Sequence, residues 1–324
     1  MSPLRVGAVL SLTGRFARFG AQAAHALRAW AELTPDVEMV VEDDAGQPAR
    51  LRRRLRELRC DLLLGPYSTS LMRAAAVVAE DAGRLLWNHG GTGDDVQALA
   101  PGHVVSVPTP TRRYAEPYLR RLAVLPERAP LHLACGPGSF GPQVLAGARV
   151  AAERLGIPVL TDDGERPPVW DAFVAGTFED DVALVTTLLD AGARTIGSVA
   201  AGVREFADAA PRGADVLGVA QWVRSQAGRG VPTVGPSEEA FLAAYRGPVP
   251  DYPAVQAAAA AALAVHCAQL AGSTARGDLW AAATGLRTST LFGPFAVDPV
   301  TGTQVAHGMA LVTRGPAGIV GAGP

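Results

Sequence analysis

The chain has 324 residues, a formal net charge of −2 and an apolar share of 48%. That length buries a large core and points to two domains, and the near-neutral charge argues against a nucleic-acid binder, which needs a basic excess or patch. All 29 basic residues are arginine, so no lysine is present to form a Schiff base or to hold a phosphate.

Val6 to Leu10 is a short apolar run, the pattern of a buried strand. Ser11 to Gly14 is turn chemistry, and Phe19-Gly20 opens a helix over Ala21 to Leu33 with Leu27 and Trp30 on one face. Strand, small polar turn and helix N-terminus make a recess lined by backbone N–H groups, hydroxyls and one ring. Val37 to Val41 is a second strand, followed by the acidic turn Glu42-Asp43-Asp44. The plainer reading of that turn, a loop capping the next helix, is preferred over ligand contact. Ala49 to Arg59 is a helix with Leu51, Leu55 and Leu58 inside. Its arginines read as a solvated outer face, because no aromatics are interleaved with them.

Leu62-Leu63-Leu64-Gly65-Pro66-Tyr67-Ser68-Thr69-Ser70 repeats the opening pattern. A helix N-terminus bearing the Ser68 and Thr69 hydroxyls can hold a carboxylate or an amide oxygen without a formal positive charge; N-capping by Ser68 or Ser70 is compatible with that. Arg84 to Trp87 gives another short strand, and Asn88-His89-Gly90-Gly91-Thr92-Gly93 a glycine-rich turn where backbone can approach closely. It lacks the Gly-Lys-Ser/Thr ending of a phosphate loop. His89 has no second His at ligand spacing and reads as a hydrogen-bonded wall residue. Val104 to Thr111 is extended and stiffened by Pro108 and Pro110.

A helix over Arg112 to Val124, a strand over Leu131 to Cys135, the turn Gly136 to Gly141 with Phe140, and a helix over Pro142 to Leu155 follow. Ile157 to Leu160 reads as a strand and Trp170 to Phe178 as a loop. Glu179-Asp180-Asp181 opens a helix, where the carboxylates favour its dipole and read as structural. Thr195 to Ala200 is a strand turning through Ala201-Gly202 into a helix over Val203 to Ala210, and Val216 to Ala220 is a strand ending in Gln221-Trp222. Gly230 to Pro236 is a second extended connector. Ser237 caps a helix bearing Phe241, Leu242 and Tyr245. Pro250-Asp251-Tyr252-Pro253 leads into a long apolar helix ending at Ala271, whose Gln256, His266 and Gln269 mark it as a core helix and not a membrane span. A short helix, Asp278 to Gly285, comes next. Leu291 to Gln304 reads as a hairpin around an Asp-Pro…Thr-Gly turn, and His307 after it as structural.

Cys60, Cys135 and Cys267 are odd in number and far apart, so neither a disulfide framework nor a zinc site is implied. No cofactor or metal is expected. No nucleophile stands with a His and a carboxylate at readable spacing, so no catalytic residue is assigned and an enzyme is not expected. Met1 to Arg5 runs straight into the first strand without a leader pattern. Two expectations follow: an exported protein given without its leader, or a cytoplasmic one.

The opening turn, the Ser68-Thr69 and Gly90-Gly91 turns, Asp43-Asp44, the proline-stiffened connector and above all the Gly293-Pro294-Phe295…Asp298…Gly302 hairpin occur in one order. Together they resemble the type I periplasmic-binding-protein fold, in the branch of ABC-transporter solute-binding proteins that includes branched-chain amino acid binders and amide sensors. The resemblance spans about residues 5 to 312. It implies an α/β fold of two doubly wound parallel-sheet lobes joined by a three-crossover hinge, with lobe one at 1–111 plus 232–287 and lobe two at 112–231 plus 288–324. It further implies reversible ligand capture between lobes by hinge closure.

By that resemblance Phe19 and Phe140 are aromatic walls, Ser68 and Thr69 hydroxyl contacts, Gly90 and Gly91 backbone donors, and Ala201, Gln221 and Trp222 the second lobe's ligand-binding turns. Amino acid binders of the family place an acidic residue at those last turns for the ligand's ammonium. Here Ala200, Ala201, Gly202, Ala220, Gln221 and Trp222 supply none, Glu205 is near but by helical spacing lies beyond the turn, and a buried ammonium without a counter-charge is costly. A neutral amide, a urea-like molecule or a small carboxylate is therefore favoured over a branched-chain amino acid. The implied partner is an ABC permease outside the cytoplasm. The alternative is a cytoplasmic amide-sensing regulator acting through a protein partner.

Overall fold

The computed structural model describes residues 3–161, 166–209, 216–224, 231–315 and 318–322. The expected helix end at Ala210 and connector start at Gly230 lie outside them. The chain divides into unit 1, Met1–Thr109 with Ala227–His307, and unit 2, Pro110–Gln226 with Gly308–Pro324, so it passes between them three times.

In unit 1, β1 (Leu4–Leu10) is buried from Val6 onward. Its apolar residues take neighbours on both edges, β2 (Val37–Asp43) and β3 (Leu62–Leu64), both parallel. With β4 (Leu86–Asn88) and β5 (Val104–Ser106) the order is β2-β1-β3-β4-β5, all parallel. Alternation along the strands sends Val9, Leu63, Leu86 and Val104 to one face, where α2 (Pro48–Glu57) and α3 (Thr69–Asp81) cover them. The other face carries α9 (Tyr252–Ala271), which packs against α1 (Ala17–Glu32). Alanines at that contact let the two helices approach closely. By length and composition α9 could cross a membrane, but most of it is buried inside unit 1.

Helix α1 starts four residues earlier than its sequence suggests, at Ala17, so Phe19 lies in its first turn. Beyond α9 come α10 (Arg276–Gly285) and a hairpin of β10 (Thr288–Thr290) and β11 (Gly293–Phe295). The hairpin continues through a Val297–Gln304 bridge closed by Asp298 N–H to the Thr303 carbonyl at 2.9 Å. The sequence assigned 288–307 to lobe two, but the segment packs in unit 1. Ser106 N–H donates to the Gly302 carbonyl (2.9 Å), Gln304 Nε2 to the Val107 carbonyl (3.0 Å), and Thr109 Oγ1 meets His307 Nδ1 at 2.8 Å. His307 also stacks on Phe292 with ring centroids 4.1 Å apart, a structural placement.

Unit 2 repeats the plan. β6 (Leu131–Cys135), β7 (Asp171–Ala175), β8 (Ile196–Ser198) and β9 (Val216–Ala220) are parallel neighbours in that order. The expected strand at Ile157–Leu160 reduces to one bridge, Val159 to Leu131. That bridge places the segment where β2 sits in unit 1, so both sheets share one winding. α4 (Glu116–Ala123) and α5 (Phe140–Leu155) cover one face around Tyr118, Leu133 and Phe173, and α6 (Phe178–Asp190) and α7 (Phe206–Ala209) the other around Trp170, Val174 and Ile196.

The expected loop at Trp170–Phe178 is instead β7, fully buried. Its charged start, Asp171, is held by Arg194 in a two-point pair at 2.9 and 2.7 Å. The expected helix from Arg112 begins as a short tight turn at Thr111–Arg113 and becomes α-helical at Glu116. β12 (Ala310–Gly315) and β13 (Gly318–Gly321) extend the sheet antiparallel beyond β9 and were not anticipated.

Candidate functional site

In a parallel sheet the turns after the strand C-termini are where helix N-termini and free backbone converge. In unit 1 the first of them, Ser11–Arg15, is fixed from the acidic turn after β2. Asp43 accepts from Leu12 N–H (2.9 Å), Thr13 Oγ1 (2.8 Å) and Ala45 N–H (2.9 Å), and pairs with Arg50 at 3.1 Å. Burial pushes its carboxyl up, but these donors outweigh it and the net shift is downward. Asp44 is buried and accepts from Ser11 Oγ (2.6 Å) and Gly46 N–H (2.6 Å), with burial holding its carboxyl above the usual range. Both acidic residues staple two turns together, which corrects the expected solvated helix-capping loop: Asp44 is buried, and α2 has no side-chain cap. Replacing Asp43 by alanine is expected to cost unit 1 about 2 kcal/mol. Faster amide exchange over 11–20, read by mass spectrometry, checks it; unchanged protection there would refute the staple.

Ser68 caps α3, accepting from Leu71 N–H at 3.3 Å, yet its backbone is left-handed, with φ 84° and ψ 143°. An ordinary N-cap is extended, and a side chain at these angles is strained. Two contacts hold it there: its N–H donates to the Gly90 carbonyl (3.2 Å), and its carbonyl accepts from Met72 N–H (3.0 Å). Thr69 is buried, and its hydroxyl accepts from Gly93 N–H at 3.1 Å.

Gly90 and Gly91 lie in the same place but not in the expected role. Their N–H groups donate to Asn88 Oδ1 at 3.1 and 2.8 Å, so these amides are already taken up within the turn. Gly90 is needed for approach: a Cβ there would lie 2.6 Å from Tyr67 Cα. His89 corrects another expectation. Its ring is fully buried, and among the described residues neither ring nitrogen has a well-formed hydrogen bond, only weak backbone contacts to Gly65 and its own residue. Desolvation brings its pKa down to about 4.

Phe19 is stacked on Tyr67, centroids 4.3 Å apart and planes 17° apart, and the Arg18 guanidinium lies 5.2 Å from its centroid. Tyr67 OH lies 3.4 Å from Tyr252 OH. Unit 1 therefore brings Phe19, Ser68, Thr69, Gly90 and Gly91 to one edge, around the Phe19–Tyr67 stack, whose Tyr67 hydroxyl meets that of Tyr252. Tyr67 and Tyr252 were missed as site residues, although both occur inside motifs read from sequence.

In unit 2, half-buried Phe140 meets Tyr114 edge-on, centroids 5.9 Å apart. Gln221 is buried and donates from Nε2 to Tyr114 OH at 2.7 Å. Phe140 and Gln221 are thus joined through Tyr114, which sequence reasoning missed. Trp222 is 4% exposed, unlike a residue presented to solvent. Ala201 presses its carbonyl against Gly218, where a Cβ would collide. Below it, Asp181 is fully buried and accepts from Ser198 Oγ (2.9 Å) and Ala200 N–H (2.8 Å), and burial raises its pKa to about 6. Asp180 closes a capping box with Thr177. These carboxylates are structural, as read from sequence.

A family model described as periplasmic binding protein matches residues 3–317. No curated protein sequence matches. Among solved structures, an ABC-transporter solute-binding protein of Rhodopseudomonas palustris HaA2 in complex with p-hydroxybenzoic acid is similar over 100% of this chain and 96% of that one, with 17% identity and a TM-score of 0.80. The leucine binding protein LivK of Thermotoga maritima is similar over 99% and 98%, with 13% identity and a TM-score of 0.81. LivJ of Streptococcus pneumoniae, in complex with isoleucine, is similar over 99% and 100%, with 14% identity and a TM-score of 0.78. At these identities the likeness shows the fold.

Proposed function

The chain belongs to the periplasmic binding protein family, and from that premise we propose that it is the solute-binding protein of an ABC importer whose ligand is a small carboxylate or amide without an α-amine, an aromatic acid first among them. The observation that carries this reading is the strained Ser68 at the N-terminus of α3, next to the Phe19–Tyr67 stack. Backbone strain in a non-glycine residue persists where function uses it. A helix N-terminus with a hydroxyl suits a carboxylate, and the adjoining rings suit an apolar or aromatic body.

Val199 to Gly202 after β8 and Gln221-Trp222 after β9 carry no carboxylate, which disfavours an ammonium; the nearest one in the chain is Glu205, directly before α7, with its Oε2 buried, and an amino acid ligand would require it. Similar structures hold p-hydroxybenzoic acid or isoleucine, and the missing carboxylate favours the first kind. Gln221 is assigned to the ligand's surroundings less directly, through Tyr114 and Phe140, and Trp222 only as its neighbour in the chain. The partner in this reading is a permease, and the compartment is outside the cytoplasm.

Thermal unfolding against benzoate, 4-hydroxybenzoate, short amides, urea, leucine and isoleucine tests it. A ligand at one hundred times its dissociation constant adds about 2.7 kcal/mol, a shift of several degrees. The expected result is a shift with aromatic acids or amides and none with the amino acids. A clear shift with leucine alone would overturn the ligand assignment.

A further inference from the structure

Away from the turns described above, unit 2 has a groove of about 280 Å³ between α4 and α5, lined by Glu116, Arg120, Ala151, Arg154 and Leu155. Its register is set by Gly147. A Cβ there would collide with the Arg112 carbonyl, so α5 sits hard against the turn that precedes α4. One to two turns further along both helices, Arg154 of α5 comes over the start of α4.

Three guanidinium groups converge there on one carboxylate. Arg113 Nε lies 3.6 Å from Glu116 Oε1, Arg120 Nη2 lies 3.3 Å from Oε2, and Arg154 Nη2 lies 3.8 Å from Oε1. The Glu116 side chain is 17% exposed, whereas those of Arg120 and Arg154 are 72% and 67% exposed. The carboxylate is the floor and the two arginines are the rim. Arg120 and Arg154 outnumber the Glu116 charge they share by one, before Arg113, which has a further partner, is counted. Glu116 offsets only part of the repulsion between them, and a second anion would offset the rest. Guanidinium forks match oxyanions in shape as well as in charge.

We propose that this groove is a binding site for an oxyanion of the phosphate or sulfate type, held by Arg120 and Arg154. Glu116 positions the three arginines and competes with the anion for them. The site is independent of the proposed solute-binding role.

The test is titration with inorganic phosphate, sulfate and chloride at matched ionic strength, followed by calorimetry and by the arginine Nε–H resonances. Phosphate and sulfate should bind saturably, chloride should not, and the Arg120 and Arg154 signals should move. R120A and R154A, both at exposed side chains, should each weaken binding several-fold, and together abolish it. E116Q should tighten binding. Sulfate also stabilises proteins by exclusion from their surface; that effect is shared by wild type and variants and cancels in their difference. A phosphate ester such as glycerol phosphate, bound better than the free ion, assigns the site to esters, and the reverse assigns it to the free ion. Equal responses to chloride and sulfate, or saturable binding retained in the double variant, overturn the proposal.

Discussion

Acidification from about pH 7.5 to pH 5 is expected to weaken unit 1 and strengthen unit 2. The opposing groups are His89 and Asp181. An imidazole in the unfolded chain titrates near 6.5, whereas buried His89 takes a proton only near 4. Between those values the unfolded chain binds a proton that the native chain refuses. Stability therefore falls with pH across that window, by about 3 kcal/mol in full and about 2 kcal/mol at pH 5.

Asp181 works the other way. Its carboxyl titrates at about 6 when buried, against an ordinary value of 3.8. Between those values the native chain binds the proton and the unfolded chain does not. Unit 2 therefore gains up to about 3 kcal/mol as pH falls from above 6 to below 4. A single melting temperature would nearly cancel the two, and the chain has two units, so one transition is not assumed. Amide exchange read separately over β3 and β4 and over β7 and β8 resolves them. Protection should fall in the first pair and rise in the second. His89→Phe should remove the first change and Asp181→Asn the second. A loss of protection in unit 1 that survives His89→Phe would remove His89 as its cause. Asp43 and Asp44 also titrate in unit 1, and comparison of wild type with the variant subtracts them.

Sequence reading works on the strand-to-helix turns and stops at β7. Strand, small polar turn and helix repeat legibly because a buried parallel strand must be apolar throughout and its turn must be small. Val6–Leu10, Leu62–Leu64 and the Ser68-Thr69 turn follow that rule, and they carry the fold and the unit 1 edge of the candidate site. β7 broke it. Asp171 opens the strand, and a carboxylate in an apolar run reads as a loop unless its partner is visible. The partner, Arg194, lies 23 residues away. Leu291 to Gln304 was read correctly as a hairpin and placed in the wrong unit, because what fixes it are bonds to the Ser106 and Val107 backbone, one of them from the Gln304 side chain, that no local pattern announces. Gly90 and Gly91 looked like open donors. That Asn88, two and three residues earlier on the same turn, takes up both N–H groups is a matter of rotamer. Tyr67 and Tyr114 were passed over because an aromatic beside a motif is more often core.

Replacing Ser68 by glycine should separate stability from binding. At φ 84° and ψ 143° a serine stores strain on the order of 1–3 kcal/mol, and glycine stores none. Against that gain stand a few tenths for the weaker cap and up to about 1 kcal/mol for the greater freedom of glycine in the unfolded chain. The balance favours the folded state by roughly 1 kcal/mol. Ser68→Ala keeps the strain and loses the cap, so it should cost about 1 kcal/mol. If the Ser68 hydroxyl holds the ligand's carboxylate, both variants lose that bond, and affinity for the best ligand of the panel should drop at least tenfold, about 1.4 kcal/mol. Calorimetric titration beside thermal unfolding reads both quantities. Opposite stability changes with a shared loss of affinity would tie the strain to binding, because a residue kept only as a cap has no reason to occupy a conformation that glycine tolerates better. Affinity unchanged in both variants would reduce Ser68 to a cap, and would move the ligand's polar end away from α3.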